Sequence, residues 1–180
     1  MKSLLLESIV IFASAFLVAK ISIPILSRRS LWLGLVDKPN ARKIHKNPIP
    51  VIGGIAILIG VSFGLMLSQT AQELIVNHLI VLGSTLAIFF IGVWDDRSDI
   101  SPKIRLAIQL SAAIAISLSG IRIESLYGIF GIESLPIYMQ HIITIVTIVG
   151  VTNAFNFVDG IDGLAGSLAL LNVSILAILF

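Results

Sequence analysis

The sequence predicts an all-α polytopic membrane protein, and three observations carry that reading. Hydrophobic residues make up 57% of the 180 positions and charged residues only 12%, against roughly 25% charged in soluble domains, and mean hydropathy is +1.04. The apolar residues fall in runs long enough to cross a bilayer. The charges collect between particular runs. Cysteine is absent, which excludes a disulfide framework and thiolate metal sites, so any metal would be a hard ion bound through oxygen.

A membrane helix needs about 20 mostly apolar residues to cross roughly 30 Å of hydrocarbon. That criterion predicts five complete spans, near residues 4–25, 51–68, 78–94, 104–119 and 137–158. A sixth starts near Leu164 and has 17 residues to Phe180, short of a full crossing at the rise of an α-helix. Residues 1–180 are therefore expected to form a single membrane domain, the N-terminal half of a longer protein. The opening "MKSLLLESIVIFASAFLVAK" has the apolar length of a signal peptide, but Glu7 lies within it and its basic residues mostly follow the apolar run, so it is read as a helix. The short "QTAQELIVN" reads as a connection, and residues 120–136 as an outer connection forming a short hairpin on the membrane.

Loops that follow odd-numbered spans share one side of the membrane. Residues 26–50 hold Arg28, Arg29, Lys38, Arg42, Lys43 and Lys46, and the next odd connection holds Arg97 and Lys103 with Arg105 just beyond, so nine of the twelve basic residues lie on this side. Lys2 and Arg122 lie opposite, and Lys20 is within snorkelling reach of the basic side. The positive-inside rule makes the basic face cytoplasmic and places the N-terminus outside.

The same face collects the candidate chemistry. "GVWDDRSDISPKIR" sets Asp95 beside Asp96, with Asp99 three residues on. Adjacent carboxylates repel unless a cation or a proton offsets them, and Mg²⁺ needs only one or two carboxylates when phosphates and waters complete its shell. The competing reading is an acidic interfacial loop neutralised by Arg97, Lys103 and Arg105. After the fifth run, "TNAFNFVDGIDGLAG" carries Asn153, Asn156, Asp159 and Asp162 on a three-residue beat. If the helix continues to residue 159, the first three share one side of it, and Asp162 caps a new helix at "GLAGSLALL". A cap and turn glycines are an ordinary helix connection, but they leave the asparagines unexplained. The first odd loop, "DKPNARKIHKNPIPVIGG", combines Pro39, Pro48 and Pro50 with Arg42, Lys43, His45 and Lys46. It suits a phosphate-bearing ligand; for Arg42 and His45 that role and a purely topogenic one both stand, whereas Lys46 and Arg28 read as topogenic. His78 and His141 read as interfacial helix starts.

Together "DKPNARKIHKNPIPVIGG", "DDRSDIS" and "NAFNFVDGIDGLAG", each after an odd span, resemble the signatures of the polyprenyl-phosphate N-acetylhexosamine-1-phosphate transferases, a glycosyltransferase family, and most closely its bacterial undecaprenyl-phosphate N-acetylglucosamine-1-phosphate members. The resemblance implies transfer of a sugar phosphate from a UDP-sugar to undecaprenyl phosphate, release of UMP, and Mg²⁺ or Mn²⁺ as cofactor. The implied setting is the cytoplasmic face of the bacterial inner membrane, at the start of O-antigen, common-antigen or teichoic-acid-linkage synthesis. It implies catalytic roles for Asp95, Asp96, Asp159 and Asp162, with Asp95 and Asp96 near the metal. Asn153, Asn156, Arg42, His45, Lys103 and Arg105 become substrate-binding candidates. No nucleic acid partner is expected, and a homodimer is compatible with it.

Within the family, another UDP-N-acetylhexosamine or the peptidoglycan precursor is the alternative donor. Asp99 stands where the peptidoglycan enzymes have lysine, which disfavours that branch. The family's further Gly-Asp motif and late His-rich loop have no counterpart here, so residues 1–180 alone are expected to be inactive. Both direct attack by the lipid phosphate and a two-step route through an aspartyl-phosphate fit the residues. The rival from another class is an ion-coupled transporter, which would place acids at helix midpoints; here they lie at helix ends. A structural scaffold would leave the acidic motifs without a role.

Overall fold

The computed structural model describes residues 2–37, 49–98, 100–159 and 163–179. It is all-helical apart from one two-residue strand pair, and it divides into two compact units, Met1–Ile108 and Gln109–Phe180.

In the first unit, α1 runs over Lys2–Leu33 with Pro24 inside it. At about 1.5 Å per residue that is about 48 Å, more than a hydrocarbon core requires. The helix thus continues past the expected end at residue 25 and carries Arg28 and Arg29 on its last turns instead of in a loop. It ends where Gly34 takes φ +69. The Leu35 amide donates to the Ser30 carbonyl at 2.9 Å and the Gly34 amide to that of Leu31 at 3.3 Å, the paired bonds of a Schellman ending, which needs a left-handed residue at that point. Strand β1 (Val36–Asp37) then pairs antiparallel with β2 (Ile49–Pro50), Val36 opposite Pro50 and Asp37 opposite Ile49. This stem closes the first basic loop at its base.

Helix α2 (Gly53–Met66) packs along α1. The contact is close because Gly60 and Gly64 face it: a Cβ on Gly60 would collide with the Ala15 carbonyl and sit 2.9 Å from the Ala19 Cβ, and one on Gly64 would sit 2.8 Å from the Ile11 carbonyl oxygen. Small residues one turn apart let helix backbones approach where there is no hydrophobic drive between helices. The chain then bends by 110° into α3 (Gln69–Asn77), a helix where a connection was expected. Ser68 makes the corner. Its Oγ accepts from the Ala71 amide at 3.0 Å, capping α3, and donates to the Glu7 carboxylate of α1. Gln72 Nε2 donates to the Met66 carbonyl at 2.7 Å across the same bend. Helix α4 (Leu79–Ser98) follows and packs against β1.

Helix α5 (Pro102–Leu118) enters the second unit, followed by a 3₁₀ turn at Ile129–Gly131, α6 (Ile137–Val158) and α7 (Leu164–Leu179). Gln109, Ala112, Ala113 and Ser117 form the buried stripe of α5. Ser117 Oγ lies 2.8 Å from His141 Nδ1 on α6, so His141 has a partner beyond the interfacial start expected of it. Residues 120–136 fold back without a β-ladder, contrary to the hairpin expectation. Their closure uses isolated bonds: the Gly128 amide to the Ile132 carbonyl at 3.1 Å, the Leu135 amide to the Glu124 carbonyl at 3.0 Å, and the Ile123 amide to Thr144 Oγ1 at 2.9 Å.

Three helices, Leu6–Leu33, Leu79–Ser98 and Ile137–Val158, are long and apolar enough to cross a membrane, and the bent α2–α3 pair makes a fourth if counted as one span. The chain is a multi-pass membrane protein. Five complete spans do not follow from helix length alone, because α2 has 14 residues and α5 has 17. The burial pattern agrees with a lipid setting: Phe12, Phe16, Leu17 and Phe90 are exposed, while Ala56, Ala113, Ser68 and Ser117 are buried.

Gly60→Ala is expected to destabilise the protein in detergent by about 1 to 3 kcal/mol through overpacking against α1. Gly83→Ala, where a Cβ meets nothing within 4 Å, is the control and is expected to be neutral or stabilising. Thermal unfolding of the two variants checks this; equal midpoints would show that α1 and α2 do not depend on that contact.

Candidate functional site

Asp95 and Asp96 lie in the last turn of α4, since the helix continues to Ser98 and does not stop at residue 94 as expected. The position matters electrostatically. A helix C-terminus carries the equivalent of about −0.5 charge from its unsatisfied carbonyls, so two carboxylates there make a corner that needs cations. Adjacent helix residues point roughly 100° apart, and the two side chains diverge accordingly. Asp95 is half-buried and Asp96 is exposed.

Arg105, on the first turns of α5, donates from Nη1 to Asp95 Oδ2 at 2.6 Å. About a quarter of each side chain is exposed, 27% and 23%, so the pair is neither dry nor fully screened. Arg97 stands by the end of α1: its Nε is 3.6 Å from where a Cβ on Gly34 would lie. The ends of α4 and α1 are therefore neighbours. Lys103, two residues before Arg105, is exposed at the start of α5. Pairing of Asp95 with Arg105 realises part of the neutralised-loop reading.

The chemistry of the donor set is the fit test for a divalent ion. The donors at the corner are carboxylate oxygens, the hard set suited to Mg²⁺ or Mn²⁺. Among the described residues no group of three or more His, Cys, Asp or Glu side chains comes together, so an ion here would be held by one or two carboxylates with phosphate oxygens completing the shell, as Mg²⁺ usually is. The residues present fit the ion on those terms.

The second acidic motif sits where α6 ends. The helix does continue through the asparagines, with Asp159 as its C-cap at φ −64 and its amide donating to the Phe155 carbonyl at 3.0 Å. Three-residue steps rotate by roughly −60° each on a 3.6-residue helix, so Asn153 and Asp159 stand about 120° apart and do not form one column. Asn153 is half-buried, and its Nδ2 donates to Gln109 Oε1 at 2.8 Å and to the Val149 carbonyl at 2.9 Å. Asn156 and Asp159 are exposed. The residue directly before α7 is Gly163, at φ +75, whose carbonyl accepts from the Ser167 amide at 2.9 Å. Asp162, Asp99, Arg42 and His45 lie outside the described residues.

Gln109, the partner of the candidate residue Asn153, is not singled out by the sequence. A single glutamine inside "IRLAIQLSAAIAI" gives no local pattern, and its partner is 44 residues away. The only cue was a polar amide within an apolar helix, which needs a partner.

Several helices long and apolar enough to cross a bilayer define a multi-pass integral membrane protein. The chain belongs to glycosyl transferase family 4, which it matches over residues 78–180. It is 38% identical over 119 residues to the undecaprenyl-phosphate alpha-N-acetylglucosaminyl 1-phosphate transferase of Salmonella typhi, covering 66% of this chain and 32% of that protein. It is 34% identical over 120 residues to a probable undecaprenyl-phosphate N-acetylglucosaminyl 1-phosphate transferase of Bacillus subtilis, covering 67% and 33%. With the Escherichia coli K12 protein of the same name as the first, identity is 40% over 102 residues, covering 55% and 26%. The chain thus spans about a third or less of the length of these curated relatives. No solved structure matches it.

Asp95→Asn and Arg105→Gln are expected to be non-additive. A double-mutant cycle on thermal unfolding should give a coupling of about 1 kcal/mol at low salt, smaller in molar salt because the pair is partly exposed. Zero coupling at low salt would mean that the two side chains do not act on each other.

Proposed function

We propose that this chain supplies part of an enzyme that transfers N-acetylglucosamine-1-phosphate from UDP-N-acetylglucosamine to undecaprenyl phosphate, releasing UMP and starting a lipid-linked cell-surface polysaccharide. The observation that carries the reading is the end of α4, where Asp95 and Asp96 stand side by side at a membrane-helix terminus and Arg105 donates to Asp95. The names of the relatives supply the reaction class. The proposed setting is the cytoplasmic face of the bacterial inner membrane, the side given by nine of the twelve basic residues. A water-soluble sugar nucleotide and a lipid phosphate can meet only at such a surface.

The proposed step is direct. A phosphate oxygen of the lipid attacks the β-phosphorus of the donor, forming a new P–O bond while the bond from that phosphorus to the bridging oxygen breaks. UMP leaves with the electron pair. Phosphoryl transfer of this kind relies on positioning and on offsetting charge. Asp95 and Asp96 would hold a divalent ion, which when bound would supply positive charge to offset that of the phosphates. Arg105, tied to Asp95, fixes that carboxylate and adds positive charge beside the phosphates. Asp96, the more exposed of the two, is assigned to orient the lipid phosphate or take its proton. Asn153, Asn156, Asp159 and Asp162 are assigned to the donor, and Lys103, Arg42 and His45 to its phosphates.

In the full-length protein, Asp95→Asn and Asp96→Asn are each expected to lower UMP release by about 100-fold or more, the order lost with a metal-orienting or acid–base group. Asp99→Asn is expected to cost less, because only the adjacent pair is shared with the lysine-bearing relatives. Near-normal turnover in both pair variants would return the α4 end to a plain neutralised surface and remove the proposal's support.

A further inference from the structure

We infer that Gln109 is a positioning residue for the donor site: it fixes the side-chain amide of Asn153 so that the oxygen, and not the nitrogen, is offered to the sugar nucleotide and its metal ion. The inference rests on the assignment of Asn153 to donor binding made above.

Gln109 is 3% exposed, inside a helix. An unpartnered amide in such a place costs several kcal/mol of lost hydration (roughly 2 to 7 on transfer scales), so its oxygen must be met, and Asn153 Nδ2 meets it at 2.8 Å. The second hydrogen of that nitrogen goes to the Val149 carbonyl, one turn back on the same helix, at 2.9 Å. Two acceptors therefore converge on the Asn153 nitrogen. Turning the amide over would set its oxygen against the Val149 carbonyl, which has no hydrogen to give, so the orientation is determined. With both hydrogens used, the remaining capacity of Asn153 is that of an acceptor. An acceptor oxygen suits a metal ion, a metal-bound water or a uridine N–H, and repels a bare phosphate.

Without Gln109, only the Val149 carbonyl would hold the nitrogen, a bond internal to the helix that leaves the side chain free to adopt another rotamer. The amide would then spend part of its time with the wrong end presented. Such a loss falls on donor recognition and leaves the lipid acceptor alone, whereas a helix-to-helix polar contact of structural value only would change stability without that selectivity.

The test uses the full-length protein, with KM measured separately for UDP-N-acetylglucosamine and for undecaprenyl phosphate. Gln109→Met, near in volume but without the acceptor, is expected to raise the nucleotide-sugar KM about tenfold, the scale of outer-shell losses, with the lipid KM and the thermal midpoint unchanged. Gln109→Glu keeps an oxygen at the position and is expected to recover most of the loss. Asn153→Ala should show a similar rise in KM, and adding Gln109→Met to it should cost nothing further. Should Gln109→Met fail to accumulate, Gln109→Asn, which withdraws the amide by one methylene, is read in the same way. Equal rises in both KM values, or losses that add in the double variant, would overturn the inference. An impaired Asn153→Ala beside a normal Gln109→Met would overturn it while leaving the donor site standing; a normal Asn153→Ala would overturn both.

Discussion

A polar group within a hydrocarbon layer has no water to fall back on, and this constraint organises the structure. Leaving one unmet costs several kcal/mol, more than any single apolar contact returns, and several polar side chains on these helices have a partner on another element. Glu7 finds Ser68, Ser117 finds His141, Gln109 finds Asn153 and Asp95 finds Arg105. Large apolar side chains decide much less, because lipid tails suit them as well as protein does. That is why Phe12, Phe16 and Phe90 face outward while alanine, serine and glycine lie inside. Close backbone approach at Gly60 and Gly64 then supplies dispersion contacts where hydrophobicity does not distinguish neighbours.

The same constraint explains where the candidate chemistry sits. Carboxylates near a helix midpoint would have to be neutralised, whereas carboxylates at a helix end reach headgroups and water while staying attached to a rigid element. Asp95 and Asp96 at the end of α4 and Asp159 at the end of α6 use that position. They also stand at helix C-termini, where the dipole makes their charge less welcome and a cation more so. An ion-coupled transporter would need the opposite arrangement, acids deep in the span with backbone broken around them. Asp95, Asp96 and Asp159 are terminal, which suits the surface reaction proposed above.

Much of this was legible in the residues. The limits of α6 were read as 137–158 and are Ile137–Val158, because a long apolar run framed by Pro136 and a polar end leaves little choice. The first helix was underestimated by eight residues: hydropathy marks where lipid stops, but the helix stops only where Gly34 ends it. The α3 helix was missed because nine amphipathic residues have no apolar run, and what fixes them is a serine cap bonded to a glutamate 61 positions away. The acidic pair was found from its spacing alone, but its partner could not be singled out among Arg97, Lys103 and Arg105 without three-dimensional placement. Gln109 was invisible for the same reason, since a contact across 44 residues leaves no periodic trace.

If the acidic helix ends serve transfer of a sugar together with its phosphate, and not of the sugar alone, the donor's β-phosphate travels with the sugar. The direct measurement supplies the full-length protein in membranes with undecaprenyl phosphate, Mg²⁺ and UDP-N-acetylglucosamine radiolabelled in its β-phosphate, and follows the label. The label is expected to move into the lipid fraction as a pyrophosphate-linked sugar, with unlabelled UMP as the nucleotide product. Label retained in released UDP, with unlabelled sugar on the lipid, would contradict that reading.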